Sequence, residues 1–271
     1  MIDTHSHLNF KDFNRDYREV IAEAEKSGVS AIINVGSDFA TSEKAIKASQ
    51  EEKICYAAVG VHPVHAQDAA ALGETEIIAR LEKLAKNKKV VAIGETGLDY
   101  YHLPQGGNEK IKMSQKRLFQ IHLKLAHKLN LPLILHCRDA YEDLLEILRS
   151  AIEQLNNGTM KQWSGGVIHC FCGSEEVAKK FLDLGFYLSF TGLITYPGNE
   201  YLAKIIATAP DDKILAETDC PYLAPQVKRG ERNLPQYVKY VIEYMARARG
   251  ADFKEMERAT SENAKRLFGL G

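Results

Sequence analysis

Met1-Ile2-Asp3-Thr4-His5-Ser6-His7-Leu8 opens the chain. Read as a strand that ends in ligand-type residues, it sets a pattern against which every later stretch can be compared. Side chains two apart on a β-strand share a face, so the imidazoles of His5 and His7 converge on one spot. Two convergent imidazoles are half of a metal site, whereas two exposed loop histidines are the ordinary alternative. The choice rests on whether other strands end the same way.

Short apolar stretches at 29–35, 55–61, 90–94, 131–135, 166–168, 186–190 and 213–216 read as further strands. Amphipathic stretches predict helices over 17–27, 40–51, 74–87, 109–129, 140–155, 175–184, 201–208, 234–249 and 253–268. The helix at 109–129, for example, carries Leu118, Ile121, Leu125 and Leu129 along one face. Gly28, Gly36-Ser37-Asp38 and Asn156-Asn157-Gly158 punctuate the alternation as stops and turns. Continuous apolar strands separated by helices mean parallel strands covered on the outside. A length of 271 residues with no break in composition then predicts one (β/α)8 TIM-like barrel domain spanning 1–271. An open doubly wound sheet is the alternative, weakened because no Gly-x-Gly-x-x-Gly follows a strand.

Hydrophobic residues make up 45% and charged residues 26%, which excludes a disordered or fibrous chain. The formal net charge of −1 supplies no global attraction to nucleic acid or to an anionic membrane, so any polyanion must be held by a local patch. No run of about twenty apolar residues occurs, and the first strand begins within two residues of Met1, so a cytoplasmic protein without a leader is expected. No obligate protein partner is implied. Five cysteines with no Cys-x-x-Cys pair predict reduced thiols. Cys137, Cys170 and Cys220 directly follow His136, His169 and Asp219, and strand alternation turns them toward packing.

Residues able to bind a metal fall at the C-terminal ends of the strands, where the βα loops of such barrels build their sites. His5 and His7 belong to the first strand, His62 to the third, Glu95 to the fourth, His136 to the fifth, His169 to the sixth and Asp219 to the eighth. One ion needs three or four protein ligands, so this set suggests two divalent ions, with Glu95 as a bridge because a carboxylate has two oxygens. Water shared by two such ions has its pKa pulled far below that of bulk water and supplies hydroxide at neutral pH. Asp219 is then placed to orient that water and accept its proton.

The motifs Asp3-Thr4-His5-Ser6-His7, Gly60-Val61-His62-Pro63, Gly94-Glu95-Thr96-Gly97-Leu98-Asp99, His136-Cys137-Arg138, His169-Cys170-Phe171, Glu217-Thr218-Asp219-Cys220-Pro221 and Arg232-Asn233 span nearly the whole chain in order. Together they resemble the TatD family of metal-dependent deoxyribonucleases, within the wider amidohydrolase-like barrels. The resemblance implies that His5 and His7 with Glu95 and Asp219 hold one ion, and Glu95 with His136 and His169 the other. It implies hydrolysis of phosphodiester bonds in DNA, as a single strand. Magnesium commonly supports such activity, although a histidine-rich site suits zinc, manganese or another transition metal. Cys172 departs from the family pattern, where a small residue such as serine is expected.

Two other functions compete. A C–N hydrolase, an amidase or deacylase, uses the same barrel, but such relatives often bridge their metals with a carboxylated lysine where this chain has Glu95. A non-catalytic protein that keeps a metal for stability is the other. Arg138 shares a strand face with His136 and suits bidentate contact with a phosphate, a rim salt bridge being the alternative. Arg232 and Asn233, in the basic loop 226–233, and His62 are further candidates for substrate contact. Asp99 is placed to position its neighbours, while Glu217 is either a site residue or a buried partner for a basic group. Tyr100, Tyr101 and Tyr222 suit stacking on bases or ordinary packing. His122 and His127, five apart on a helix, do not have the spacing of a metal pair and read as surface or packing residues.

Overall fold

Apolar runs too short to bury themselves alone assemble here into one closed sheet. A computed structural model describes residues 1–104, 109–154 and 165–271. The turn expected at Asn156-Asn157-Gly158 and the last residue of the 140–155 helix lie outside the described residues. The strands are β1 (Ile2–Ser6), β2 (Ala31–Val35), β3 (Cys55–Val59), β4 (Val90–Asp99), β5 (Leu133–Arg138), β6 (Gly166–Ile168), β7 (Tyr187–Phe190) and β8 (Ile214–Ala216). All eight pair in sequence order, each parallel to the next. The seam between first and last is closed just beyond β8. There Asp219 N–H donates to the His5 carbonyl at 2.8 Å, His7 N–H donates to the Cys220 carbonyl at 2.8 Å, and Ser6 bridges Cys220 in parallel. This is the (β/α)8 barrel expected from the alternation.

The helices are α1 (Tyr17–Lys26), α2 (Phe39–Glu51), α3 (Ala66–Ala70), α4 (Glu74–Ala85), α5 (Glu109–Leu129), α6 (Tyr141–Gln154), α7 (Glu175–Asp183), α8 (Tyr201–Thr208), α9 (Val238–Arg249) and α10 (Phe253–Phe268). Local chemistry sets several of their ends. Asp38 accepts from Thr41 N–H in a capping box that starts α2, and left-handed Gly250 and Gly269 end α9 and α10. Alternate strand residues divide two apolar layers. Ile32, Val59, Ile93, Leu135, Ile168 and Leu188 cluster with the helices, whereas Ile33, Ala58, Ile134, Val167 and Leu215 form an inner cluster joined by Leu267 and Phe268 of α10. Among the described residues no helix is long and apolar enough to cross a membrane.

The largest departure from the sequence reading is β4, expected to stop at Gly94 but continuous to Asp99. Its pairing with β5 shifts register between Ile93 and Thr96, so the strand passes Glu95 through a bulge instead of ending there. Glycine reads as a strand breaker in isolation; here it permits close approach. A Cβ on Gly97, at φ +136°, would lie 2.0 Å from the His136 carbonyl oxygen. β5 likewise continues through His136 to Arg138. Further along, α9 begins later than expected because Pro235 opens a short 3-10 turn ahead of it. The short helix α3 was not expected.

His122 proves to be a packing residue. Its Nδ1–H donates to the Leu118 carbonyl at 2.8 Å, and its Nε2 accepts from Val61 N–H at 3.0 Å, which fastens the loop after β3. Full burial lowers its pKa from 6.5 to about 4.

Two outcomes are expected. Gly97→Ala destabilises the fold by about 2–5 kcal/mol in denaturant unfolding, through strain and overpacking. Because folded His122 stays neutral until about pH 4 while the unfolded imidazole protonates near 6.5, its contribution is complete above the unfolded value. It is lost as pH falls toward the folded one, by at most roughly 3 kcal/mol. Unfolding free energies of wild type and His122→Gln, compared at neutral and acid pH, measure that loss as the difference between their slopes.

Candidate metal centre

The strands deliver His5, Glu95 and His136 from within β1, β4 and β5, while His7, His62, His169 and Asp219 follow β1, β3, β6 and β8. All lie at one mouth of the barrel. Glu95 is its centre. Its Oε2 lies 3.6 Å from His5 Nε2 and 3.8 Å from His7 Nε2. Its Oε1 lies 3.0 Å from His136 Nδ1, 3.1 Å from His169 Nε2 and 3.4 Å from His62 Nε2. The two carboxylate oxygens thus sort the imidazoles into two groups. Asp219 joins the first, with Oδ1 3.4 Å from His7 Nε2 and 3.7 Å from His5 Nε2.

Neighbouring groups determine where each imidazole keeps its proton. His7 Nδ1–H donates to the Val35 carbonyl at 2.9 Å, His169 Nδ1–H to Glu217 Oε1 at 3.1 Å, and His136 Nε2–H to Asp99 Oδ2 at 3.0 Å. The inward nitrogens of these three rings therefore carry lone pairs, and they face carboxylate oxygens. For the neutral rings this sets acceptor against acceptor, which is repulsive unless a further proton or a metal cation lies between them. The separations also fit an ion, since ligands 2.0–2.2 Å from a tetrahedral centre stand roughly 3.3–3.6 Å apart. His5 Nδ1, buried with no hydrogen-bond partner among the described residues, adds a polar atom that protein alone leaves unsatisfied. His62 differs. Its Nδ1 accepts from Val64 N–H at 3.2 Å, so the neutral ring carries its proton on Nε2 and directs a donor, not a lone pair, toward Glu95.

The same rings and carboxylates also shift one another's proton affinities. Burial favours a neutral carboxyl at Glu95, yet His62, His169 and His136 outweigh it and hold its pKa well below the ordinary range. Burial is likewise outweighed at Asp219, chiefly by His7. At His7, His136 and His169 burial opposes the imidazolium, but the flanking carboxylates raise each pKa, that of His169 well above its ordinary value. Burial prevails at His5 and His62, which are lowered.

Residues behind these side chains hold them in place. Ligand atoms of His5, His169 and Glu217 lie within 4.8 Å of one another, but Glu217 Oε1 is occupied by His169 Nδ1–H and by Cys170 N–H at 2.7 Å. Glu217 is the buried partner of a basic group. Asp99, fully buried, accepts from His136 and, at 2.7 Å, from His102 Nδ1–H. Asp3 accepts from Thr218 N–H at 2.8 Å and from the Thr218 hydroxyl at 2.6 Å, joining β1 to the segment that bears Asp219. Cys170 and Asp219 both adopt left-handed backbone, at φ 47° and 58°, a strain that the surrounding contacts must sustain. The role of His102 carried no signal in sequence, and the tie from Asp3 to Thr218 spans 215 positions.

Two candidates for substrate contact are placed elsewhere. Asn233 is fully buried, its amide donating to the Thr218 carbonyl at 2.8 Å and the Tyr222 carbonyl at 2.6 Å, so it braces the loop and is not presented to a ligand. Arg232 is committed to Asp16 through both its terminal nitrogens and donates to the Asp12 carbonyl at 2.6 Å. Arg138, by contrast, is exposed and stacks over Tyr101 at 3.8 Å, with no carboxylate partner among the described residues. Cys137 and Cys220 are buried thiols, Cys170 is partly exposed and Cys172 is exposed.

A sequence model of the family described as TatD related DNase matches residues 2–269. The chain belongs to the TatD family. It is 41% identical over 270 residues to the uncharacterized metal-dependent hydrolase YabD of Bacillus subtilis, covering 100% of this chain and 99% of that protein. It is 35% identical to the 3'-5' ssDNA/RNA exonuclease TatD of Cronobacter sakazakii, over 99% of this chain and 97% of that protein. The crystal structure of the TatD homologue YjjV from Escherichia coli superposes with a TM-score of 0.87 at 29% identity, over 100% of this chain and 98% of that one. Like its relatives, this TatD family member is a metal-dependent hydrolase.

If Glu217 orients His169 for metal binding, Glu217→Gln lowers metal affinity by about 10- to 100-fold. Competition with a chromophoric chelator reads that change directly.

Proposed function

We propose that this protein is a nuclease that hydrolyses phosphodiester bonds of single-stranded DNA with two divalent ions. His5, His7, Glu95 and Asp219 would hold one ion, and Glu95, His136 and His169 the other, within a single domain spanning 1–271. One observation carries this reading: the two oxygens of Glu95 face two separate sets of imidazole nitrogens. The relative from Cronobacter sakazakii, named a 3'-5' ssDNA/RNA exonuclease, supports the choice of substrate. Five free cysteines support a reducing compartment, the cytoplasm. A donor set rich in nitrogen favours zinc or another transition metal over magnesium.

Divalent ions bound there supply acidified water and a counter-charge for phosphoryl oxygens. The protein's own groups do the rest. Asp219, held ionised at the mouth, orients the attacking water and accepts its proton on a carboxylate oxygen. His62 directs Nε2–H inward and donates to a non-bridging phosphoryl oxygen. Arg138, with no carboxylate partner among the described residues, grips a phosphate through its guanidinium.

Metal-loaded protein should release nucleotides from an end-labelled single-stranded oligonucleotide. No release with magnesium, manganese, cobalt or zinc would overturn the reading. Asp219→Asn should retain the circular dichroism of the wild type and lose about 10²- to 10⁴-fold in kcat.

A further inference from the structure

Three aromatic side chains are exposed among the described residues: Tyr101 at 59%, Tyr201 at 45% and Tyr222 at 52%. Tyr101 and Tyr222 lie in the loops after β4 and β8, on the face that carries the candidate metal centre, and Tyr201, the first residue of α8, donates its hydroxyl to the Cys172 carbonyl in the loop after β6. Chance does not favour that distribution, since exposed aromatic rings are free to occur anywhere on the outer helices. Tyr101 follows β4 and Tyr222 follows β8, four strands apart in a barrel of eight, so they stand on opposite sides of the mouth.

Each is fastened to the site. Tyr222 N–H donates to the Asp219 carbonyl at 2.9 Å, and its own carbonyl accepts from Asn233. Its ring meets Phe10 and His7 edge-on, with centroids 6.4 Å and 6.5 Å away, and Phe10 in turn stacks on His7 at 4.2 Å. The exposed face therefore begins where the ligands of one candidate ion end. Tyr101 lies two residues beyond Asp99 and carries the guanidinium of Arg138 at 3.8 Å. An aromatic face beside an exposed cation is the pairing by which proteins hold single strands without reading their sequence.

We propose that Tyr222 and Tyr101 are stacking platforms for two unpaired bases on either side of the scissile phosphate, with Arg138 on the phosphate beside Tyr101. This rests on the nuclease reading above and deepens it to specificity. A duplex keeps both faces of each interior base covered by its neighbours, so it cannot use the platforms without unstacking. The rings thereby select unpaired nucleotides.

Fluorescence anisotropy with a hydrolysis-resistant phosphorothioate oligonucleotide tests the inference independently of cleavage. Tyr222→Leu and Tyr101→Leu should each weaken single-strand binding by roughly 5- to 100-fold, while Tyr222→Phe restores it. An oligonucleotide with one abasic residue at the stacked position should bind wild type as weakly as the intact strand binds the leucine variant. The same abasic residue should cost that variant nothing more. Unchanged affinity in both leucine variants, equal losses on duplex, or no binding of single strands by wild type would each overturn the inference. Wild type that binds the strand but cuts no unmodified oligonucleotide would remove the nuclease reading and leave the platforms standing.

Discussion

A buried carboxylate with imidazole nitrogens converging on both its oxygens is the constraint on which the rest of this molecule depends. Glu95 is 4% exposed, and an ionised carboxylate at that depth is costly unless cations or donors surround it. The three imidazoles whose protons are drawn away by Val35, Glu217 and Asp99 cannot serve as donors in their neutral form. They make the arrangement worse for protein alone and better for a divalent ion. The outward partners thus matter as much as the inward ligands, because they decide which nitrogen of each ring carries a lone pair.

Closure of the barrel and assembly of the site are the same physical event. β1 and β8 meet through backbone bonds of His5, His7, Asp219 and Cys220, and the buried side chain of Asp3 adds a second tie to Thr218. The seam cannot open without separating the two histidines from Asp219. On the opposite side the glycines of β4 let it lie close against β5, which brings Glu95 and His136 within 3.0 Å. Fold stability and the geometry of the candidate metal centre therefore share their hydrogen bonds, and substitutions in either region act on both.

Much of the fold was legible because burial imposes a period. Strands covered on both faces are continuously apolar, helices are amphipathic, and α5, α8, α10 and β6 have the bounds expected from that pattern. The ligand-type residues were legible because strand ends in such a barrel share one face. Less legible were elements whose limits depend on a neighbour. The glycines of β4 look like an end until β5 is seen packed against them, and Arg232 looks like a free cation until Asp16 is found beside it.

Chain order and residue type by themselves determined the alternation of strand and helix and the set of imidazoles and carboxylates at the mouth. Only the tertiary structure decided which oxygen of Glu95 faces which ring and which ring nitrogen is bare. It also decided that Glu217 and Asp99 hold the rings of His169 and His136, and that Asn233 braces a loop. The physical reason is that proton position and carboxylate orientation depend on partners tens of residues away, such as Glu217 for His169, 48 positions along the chain. No local pattern encodes a hydrogen bond across that separation.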